Sequence, residues 1–522
     1  MSCKDQLPAV HRPSLRAVAA PPFCRAVSGV RRGLAATVLL VGGTLALQVA
    51  AYDAPPATPA AAPAAKTTYA QRARSYGTQP ESDPPRYVRN LAQTGIRKLE
   101  ALDWLDVGLD FRERYELREN DIRRPFLATD HNFLHRTRAY VGVREIVDPL
   151  RFAIEFEDAR ASNSVYPRDT RDVNEFELIQ GYGELYFKGA LGRDDLGNQR
   201  PVRLRVGRMA WEAVDRRLIG NNQWRNTTNN FEGMRLNLGQ EANDWEVDVW
   251  GVKPVIRDTD EFDSRNDDVW FYGGILNWRR WSEVVTLQPY YMGLQQRARG
   301  AQIEREVHSP GVRGFGVLPG THIDFDLGAL YQFGREGPRQ KSAWAYLVEF
   351  GYTFPHPWKP RLSAFYGYAS GDRDPNDGVD NRFERFFGFA RPWAADDNII
   401  FENVKTPKLK FEFEPFKGLA FDGGYAWYWL ASDRDRFNNL LNGINGDARF
   451  NRDRSGNSGD ALGQSVDVRA RYRLTPRVDT TVGYSHWING GFVQTRQRAA
   501  LGETTDTTNF LYVEVSIGLW AQ

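Results

Sequence analysis

The segment SVDVRARYRL, Ser465–Leu474, alternates between charged and apolar residues and is the clearest guide to the fold. Its charged positions, every second residue, are Asp467, Arg469, Arg471 and Arg473. Because successive side chains of a strand point to opposite faces, one face is charged and the other apolar. The apolar face belongs either to the core of a soluble sheet or to the lipid-facing wall of a membrane barrel, and in the second case the arginines line the interior.

The composition excludes several classes of protein. The chain has 522 residues, a formal net charge of +2 and a mean hydropathy of -0.55. A net charge so close to zero argues against a nucleic-acid-binding protein, which carries a clear basic excess. Aromatic residues make up 13% of the chain, with 47 glycines and only 4 methionines. That mixture favours strands and tight turns over helices.

The N-terminal region has the pattern of a secretory signal peptide. Two arginines precede an apolar run that starts at Gly33, and the small residues Val49–Ala51 suit a cleavage site. We therefore predict a signal peptide over residues 1–51; the alternative is a single N-terminal membrane anchor. Both cysteines, Cys3 and Cys24, precede the cleavage site, so the exported chain is expected to contain no disulfide.

Residues 52–100 begin with a Pro/Ala-rich stretch, which predicts a disordered linker and a periplasmic N-terminal segment. From Trp104 onward, runs of alternating polarity are separated by clusters of Gly, Asp, Asn and Pro. Tight turns alternate with long polar loops, and aromatic residues are frequent at the positions that form the apolar face of each run. The sequence therefore predicts an all-β chain whose residues 101–522 form a single antiparallel transmembrane β-barrel of about 18 strands in a Gram-negative outer membrane.

A soluble all-β protein, such as a sandwich or a propeller, is the alternative to the barrel. A soluble β region of this length should show a repeat period or a break between domains, and neither is visible. Trp and Tyr on the apolar parity also suit the headgroup region of a membrane better than a dry core.

Arginines recur at the alternate positions that form the polar face of the predicted first, second, fifth and sixteenth strands. In a closed barrel the first strands lie beside the last, so these arginines are expected to form one cationic sector of the interior. The planar guanidinium suits carboxylates, and arginine-lined pores select anions. For each arginine the alternative is a pairing with a neighbouring acid that merely satisfies a crowded polar interior. The arginines are Arg112, Arg114, Arg136, Arg138, Arg144, Arg203, Arg205, Arg469, Arg471 and Arg473. The carboxylates on the same parity are Glu155, Glu157, Glu184, Asp324, Asp326, Glu412 and Glu414.

Two connecting segments invite a functional interpretation. Gly207–Leu236 contains Arg208, Arg216, Arg217 and Trp224, and is too polar for a core element; it is either an external loop or a constriction folded into the lumen. In Ser370–Asp380, the residues Asp372, Asp374 and Asn376 have the spacing of a calcium loop. The glycine and the terminal glutamate of such a loop are out of place, so a long acidic loop is the preferred interpretation and no metal site is predicted.

No catalytic arrangement stands out. The seven histidines are scattered, and neither a nucleophile elbow nor a phosphate-binding glycine loop is present. We expect neither an enzymatic activity nor a cofactor.

Three segments together resemble the alginate export family of outer-membrane barrels. They begin at Leu204 with LRVGRMAWEAVDRRLIGNNQWRNTTNNFEGMRL, at Tyr368 with YASGDRDPNDGVDNRFERFFGF and at Leu462 with LGQSVDVRARYRLTPRVDTTVGYSHWINGGFV. The resemblance extends from Trp104 to Trp520. It implies an 18-stranded barrel with an arginine-lined constriction that passes a polyuronate. It assigns Arg208 and Arg373 to the substrate path by motif, with Arg469 and Arg471 on the late arginine-bearing strand.

Together these features predict a channel that passively exports an anionic, alginate-like polysaccharide through an arginine-lined pore. The expected partners are that polysaccharide, outer-membrane lipid and periplasmic export or biosynthesis proteins, with no nucleic acid. A general diffusion porin or an uptake channel for small anions or other nutrients shares the barrel and is the alternative function. A structural barrel with a closed lumen is a third interpretation.

Overall fold

The computed structural model describes residues 67–70, 82–214, 216–221, 223–389, 394–441 and 450–519. The predicted signal peptide, residues 1–51, lies outside the described residues. Most of the predicted linker also lies outside them.

Within the described residues, eighteen long strands form one antiparallel barrel. In chain order they are β1 (Leu105–Glu119), β2 (Thr129–Val147), β3 (Leu150–Ser162), β4 (Asn174–Phe187), β5 (Val202–Met209), β6 (Phe231–Gly239), β7 (Trp245–Ile256), β8 (Val269–Trp278), β9 (Val285–Gln296), β10 (Arg305–Val317), β11 (Ile323–Glu336), β12 (Arg339–Thr353), β13 (Arg361–Ala369), β14 (Val404–Phe416), β15 (Leu419–Trp429), β16 (Ala461–Thr475), β17 (Val478–Asn489) and β18 (Thr507–Gly518).

The barrel closes between its first and last strands. β1 pairs with β18 from Asp110 opposite Gly518 to Glu119 opposite Asn509, and every other strand pairs with its neighbours in sequence. Closure leaves no sheet edge, so the backbone hydrogen bonds are satisfied within the wall. The predicted fold class, an all-β transmembrane barrel, is confirmed.

The two rims of the barrel differ in the length of their connections. Tight turns such as 148–149, 417–418 and 476–477 lie on the same rim as the start of β1 and the end of β18. This is the periplasmic rim of an outer-membrane barrel. The opposite, extracellular rim carries the long connections 370–403 and 430–460, and a helix, α1 (Gly491–Leu501), between β17 and β18.

The outer surface of the wall is apolar. In β16, Val468 is 52% exposed whereas its neighbour Asp467 is 5% exposed, because the two side chains point to opposite faces. Aromatic rings also stack on the outside, as where Trp344 and Tyr346 lie 5.4 Å apart. Such rings suit the interface between lipid and water.

None of the helices in the described part of the chain is long and apolar enough to cross a membrane.

An N-terminal segment, Ser82–Asn90, docks at the periplasmic rim. Its residues Val88–Asn90 form a short strand that pairs with Asp106–Gly108 of β1, just beyond the last residue of β18 that pairs with that strand. Two short 3-10 turns, Leu91–Thr94 and Arg97–Leu99, lead from this strand towards β1. The described part of residues 82–100 is therefore attached to the barrel wall.

The interior combines polar and apolar regions. Phe271, Trp487 and Phe383 are fully buried and belong to one apolar cluster with residues from the inner faces of many strands. This cluster exists because long connections fold into the barrel and pack against its wall, as where Phe387 lies 4.9 Å from the ring of Phe271. The alternation of polar and apolar residues along the strands predicts a polar interior and gives no indication of this apolar cluster.

Candidate conduction pathway

An inner loop, residues 210–230, folds into the barrel between β5 and β6. Asn226 and Thr227 of this loop are fully buried. The amide of Asn226 donates to backbone carbonyls of three other segments, including those of His135 and Arg160, each at 3.0 Å. Of the two possibilities left by the sequence, the structure therefore has the constriction folded into the lumen.

Four of the predicted arginines hold this loop, and three of them converge on Gln223. Arg112 donates to the Gln223 carbonyl at 2.8 Å and Arg136 to the same oxygen at 3.2 Å. Arg138 donates to the Gln223 side-chain oxygen at 2.5 Å. Arg112 also reaches the carbonyl of Arg225 at 2.8 Å. Charge-assisted bonds of this kind are the strong ones in a protein interior.

The fourth arginine, Arg114, packs on the next loop residue. Its guanidinium lies 4.0 Å above the indole ring of Trp224 and is 3.3 Å from the carboxylate of Glu514. The indole also contacts the ring of Tyr512, with centroids 4.7 Å apart. The inner loop is thus anchored to the wall formed by β18, β1 and β2.

A second connection meets the inner loop inside the barrel. The indole nitrogen of Trp224 donates to the carboxylate of Asp397 at 3.1 Å, and Ile219 forms a parallel bridge with Phe387. Arg118 of β1 donates to the carbonyl of Asp396 at 3.0 Å. The connection 370–403 therefore lies across the lumen and contacts both the inner loop and the wall.

The cavity that borders the inner loop, called the main cavity below, has a volume of about 210 Å³, and a cavity of about 340 Å³ lined by Arg305 and Arg382 lies nearer the extracellular rim. The main cavity lies between these two connections and the inner faces of β15 to β18 and β1. Its charged lining is balanced, with three arginines facing three carboxylates. These are Arg112, Arg216, Arg469, Asp422, Asp467 and Glu514.

A second, entrance cavity of about 150 Å³ lies closer to the periplasmic rim. Asp83 of the N-terminal segment, Arg203 of β5 and Arg235 of β6 line it. Gln223 lines both this cavity and the main cavity. The inner loop therefore separates the two spaces at this residue.

On β16, Arg469 and Arg471 point to one carboxylate on the neighbouring strand. Asp422 of β15 lies 2.9 Å from Arg469 and 3.4 Å from Arg471. Arg473 lies further along β16, half exposed, and pairs with Asp479 at 3.1 Å near the periplasmic turn. The side chain of Arg471 is 40% exposed, so it borders open space in the barrel.

The early arginines of β2 and β5 also have carboxylate partners. Arg138 lies 2.8 Å from Glu157, and Arg205 lies 2.8 Å from Glu184. Arg144, near the periplasmic end of β2, lies 2.5 Å from a carboxylate on β1. These pairs balance the charges of the polar barrel interior, which is the alternative that the sequence analysis left open for each arginine.

Two predicted path residues lie apart from this group. Arg208 points to the opposite face of β5 from Arg203 and Arg205. Its guanidinium lies 2.7 Å from the carboxylate of Glu232 and donates to the carbonyl of Asp263 at 2.9 Å. It therefore belongs to the extracellular end of β5. Arg373 is exposed on the turn after β13 and lines neither lumen cavity.

The residues with calcium-loop spacing are otherwise engaged. Asp372 lies 2.9 Å from Arg339, and Asp374 accepts the backbone N–H of Asn376 at 3.0 Å. Among the residues that the structure describes, no group of three or more His, Cys, Asp or Glu residues could hold a metal ion.

The comparison with protein families decides the identity of the chain. The model of a family described as alginate export matches residues 103–505. The chain belongs to the alginate export family. No curated protein sequence matches it significantly.

Solved structures show the same architecture. OpdQ and OccK8 (OprE), both of Pseudomonas aeruginosa, each share 12% sequence identity with this member of the alginate export family, with a TM-score of 0.51. In both comparisons the alignment covers 80% of this chain and 98% of the other. At this identity the likeness shows the fold alone.

Family and fold together define this alginate export family member as an outer-membrane channel of a Gram-negative cell. They indicate a transporter rather than an enzyme.

Some residues of the lumen were not predicted from the sequence of this family member. Asp422 lies at one of the alternate positions that form the inner face of β15, so its inward direction could have been predicted from that pattern. Gln223 lies in a loop with no periodicity, and Asp83 lies in a segment predicted to be linker. Neither carries a local signal, since each acquires its position only through contacts with distant strands.

Proposed function

We propose that this channel passively exports an anionic polysaccharide, an alginate-like polyuronate, along the arginines of its interior. Membership of the alginate export family supports a uronate substrate. The guanidinium group is suited to carboxylates because its planar fork donates two parallel hydrogen bonds.

The arrangement of Arg469 and Arg471 around Asp422 carries the proposal. Both guanidinium groups contact one carboxylate, and Arg469 borders the main cavity. Residues two apart on a strand are separated by about 7 Å, so a carboxylate of a moving chain can pass from one to the other in small steps.

Each handover is an exchange of one carboxylate for another. Arg469 and Arg471 share the single carboxylate of Asp422 and so carry one positive charge in excess, which one uronate carboxylate after another can pair with while Asp422 keeps its partner. Contacts that are numerous and individually weak permit conduction, because a single tight site would hold the polymer. The driving force is then polymer synthesis, which implies periplasmic partners for synthesis or delivery.

Export also requires the inner loop to move. The two cavities of about 210 and 150 Å³ are separated at Gln223, and neither is a continuous path for a chain of sugars. Displacing residues 210–230 from the wall would join them.

The balanced charge of the main cavity favours a second candidate function. Three arginines facing three carboxylates suit a general diffusion channel for small solutes as well as a polyuronate channel. In that case uronate oligomers and neutral oligosaccharides of equal length would cross at similar rates.

Release from proteoliposomes separates the two functions. Vesicles that contain the folded channel are loaded with uronate oligomers or with neutral oligosaccharides of the same length, and release is followed over time. Faster release of the uronates, which the Arg469→Gln/Arg471→Gln variant loses, supports export of a polyuronate. Equal rates for both sugars in the native channel contradict it.

A further inference from the structure

The N-terminal segment Ser82–Asn90 lies across the periplasmic entrance and is fitted to it at several points. Tyr87 and Val88 are 7% and 5% exposed, and the hydroxyl of Tyr87 donates to the carboxylate of Glu155 on β3. The amide of Asn90 donates to Asp106 at 2.9 Å. The segment is therefore held by buried side chains as well as by strand pairing.

A glycine of the wall provides the space for this segment. A Cβ atom at Gly108 of β1 would lie 2.8 Å from the ring of Tyr87 and 2.9 Å from the side chain of Val88. A Cβ atom does not approach another non-bonded heavy atom this closely, so the close approach of the segment requires glycine at this position.

The segment brings a carboxylate to two arginines of β5. Asp83 lies 2.9 Å from Arg205 and 3.6 Å from Arg203. Partial loss of water around the Asp83 carboxylate would raise its pKa, but the guanidinium groups of Arg205 and Arg203 lower the pKa below its ordinary value. The carboxylate is thus charged at neutral pH, and its side chain remains 42% exposed towards open space.

We propose that Arg203 and Arg205 form a carboxylate subsite at the periplasmic entrance, and that Asp83 occupies this subsite until a uronate residue of an incoming chain displaces it. The N-terminal segment is then a tethered plug that carries a mimic of the substrate charge. This inference rests on the proposed export of a polyuronate and names its first binding position.

Tethering explains why such a plug is selective. A tethered carboxylate has a high local concentration at its site, so a single free carboxylate competes poorly. A polyuronate presents many carboxylates on one chain, and as one displaces Asp83 its neighbours reach Arg235, which also lines the entrance cavity. Neutral sugars have no group that replaces Asp83.

The test uses the full chain in planar bilayers, with uronate oligomers added on the side of the tight turns. The Asp83→Asn variant keeps the size of the side chain and removes its charge. We expect the oligomer concentration that halves the current to fall by roughly threefold to tenfold in this variant. The matched control is Glu100→Gln, an exposed acid close in sequence, which should behave as the native channel.

The outcomes separate this inference from the proposed function. If the oligomers block the native channel but Asp83→Asn has the native half-blocking concentration, the plug is contradicted while export stands. If the oligomers do not block the native channel at all, the proposed function itself is contradicted.

A second variant tests the subsite in the same assay. Arg203 is partly exposed, whereas Arg205 also holds Glu184, so Arg203→Gln is the change that disturbs the wall less. The effect of Asp83→Asn should shrink in this background, because the two residues act through one contact. An undiminished effect means that Asp83 acts elsewhere and overturns the subsite. Folding of each variant is verified by the heat-dependent gel mobility of a closed barrel.

Discussion

The guanidinium of Arg114 lies over the indole ring of Trp224, with its central carbon 4.0 Å from the ring centroid. This contact joins a strand of the barrel wall to the loop that obstructs the lumen. Arginines on the inner face hold the inner loop or border the space that remains, and Arg112 does both.

Replacing Trp224 with alanine should loosen the inner loop. The substitution removes the contact with Arg114 and the hydrogen bond to Asp397. A buried cation–π contact contributes about 2 kcal/mol, so the population with a displaced loop should rise by about tenfold or more. Single-channel recording should show a larger mean conductance. The control is Trp281→Ala, since Trp281 is 48% exposed on the periplasmic rim; an unchanged conductance in Trp224→Ala would show that the loop does not limit the current.

Reversing the charge of Arg469 and Arg471 should lower the preference for anions without unfolding the barrel. Both side chains lie on the inner face beside Asp422, and the double substitution by glutamate changes the local charge by about four units at pH 7. The measurement is the ratio of chloride to potassium permeability. The matched control reverses Lys417 and Arg477, two exposed cations of periplasmic turns. A folded Arg469→Glu/Arg471→Glu variant with native selectivity would remove these arginines from the pathway.

The position of the connection 370–403 inside the lumen should depend on pH, because one of its residues, Asp396, changes its charge. Burial and the nearby carboxylate of Asp467 raise the pKa of Asp396 to about 7. The raised value means that the packed position of the connection favours the neutral carboxyl group, and this stabilisation is lost as the pH rises from about 4, the ordinary pKa of an aspartate, to about 7. Arg118 and Arg123 oppose the shift without cancelling it.

The conductance should therefore increase between about pH 4 and pH 7, because the ionised Asp396 is favoured only when the connection has moved away from Asp467. Asp396→Asn should abolish this increase and keep the low conductance over the whole range. Asp374→Asn changes an exposed acid of the same connection and should keep the native pH dependence. A native channel whose conductance is the same at both pH values would contradict the prediction.

Loss of Arg361 should destabilise the barrel strongly. This arginine is fully buried, donates to Asp324 at 2.6 and 2.9 Å and reaches Glu349 at 3.2 Å. Arg361→Ala would remove the guanidinium partner of two buried carboxylates, and this should lower the free energy of unfolding by about 3–5 kcal/mol. Denaturant unfolding in detergent, followed by tryptophan fluorescence, measures this change. Arg335→Ala, at an exposed position of β11, should have little effect.

A combined variant tests the cause of this instability. Arg361→Met with Asp324→Asn and Glu349→Gln removes the buried charges together, so most of the lost stability should return. If the triple variant is as unstable as Arg361→Ala, the effect comes from packing rather than from uncompensated charge.

The wall of the barrel was predictable from the sequence because its signal is local. In β16 buried and exposed side chains alternate from Ser465 to Val468, and the same alternation of polar and apolar residues recurs along the chain. The strand positions of Arg112, Arg203 and Arg469 were predicted correctly, since counting alternating runs is sufficient to number the strands.

The filling of the lumen was not predictable, because it depends on contacts between distant residues. Gln223 separates the main cavity from the entrance cavity only because three arginines of β1 and β2 donate hydrogen bonds to it. Arg208 shares β5 with Arg205 but lies on the other face, and its motif gave no sign of this difference. The turn between β11 and β12, residues 337–338, is also short although it lies on the extracellular rim.

The central claim is that the lumen conducts an anionic polymer, and ion selectivity with block by uronates tests it most directly. The purified channel is placed in a planar bilayer under a salt gradient, the reversal potential is recorded, and uronate oligomers are then added to the periplasmic side. We expect a preference for anions and a block by uronates that neutral oligosaccharides of equal length do not produce. A preference for cations, with no block by uronates, would contradict the claim and leave a general diffusion channel.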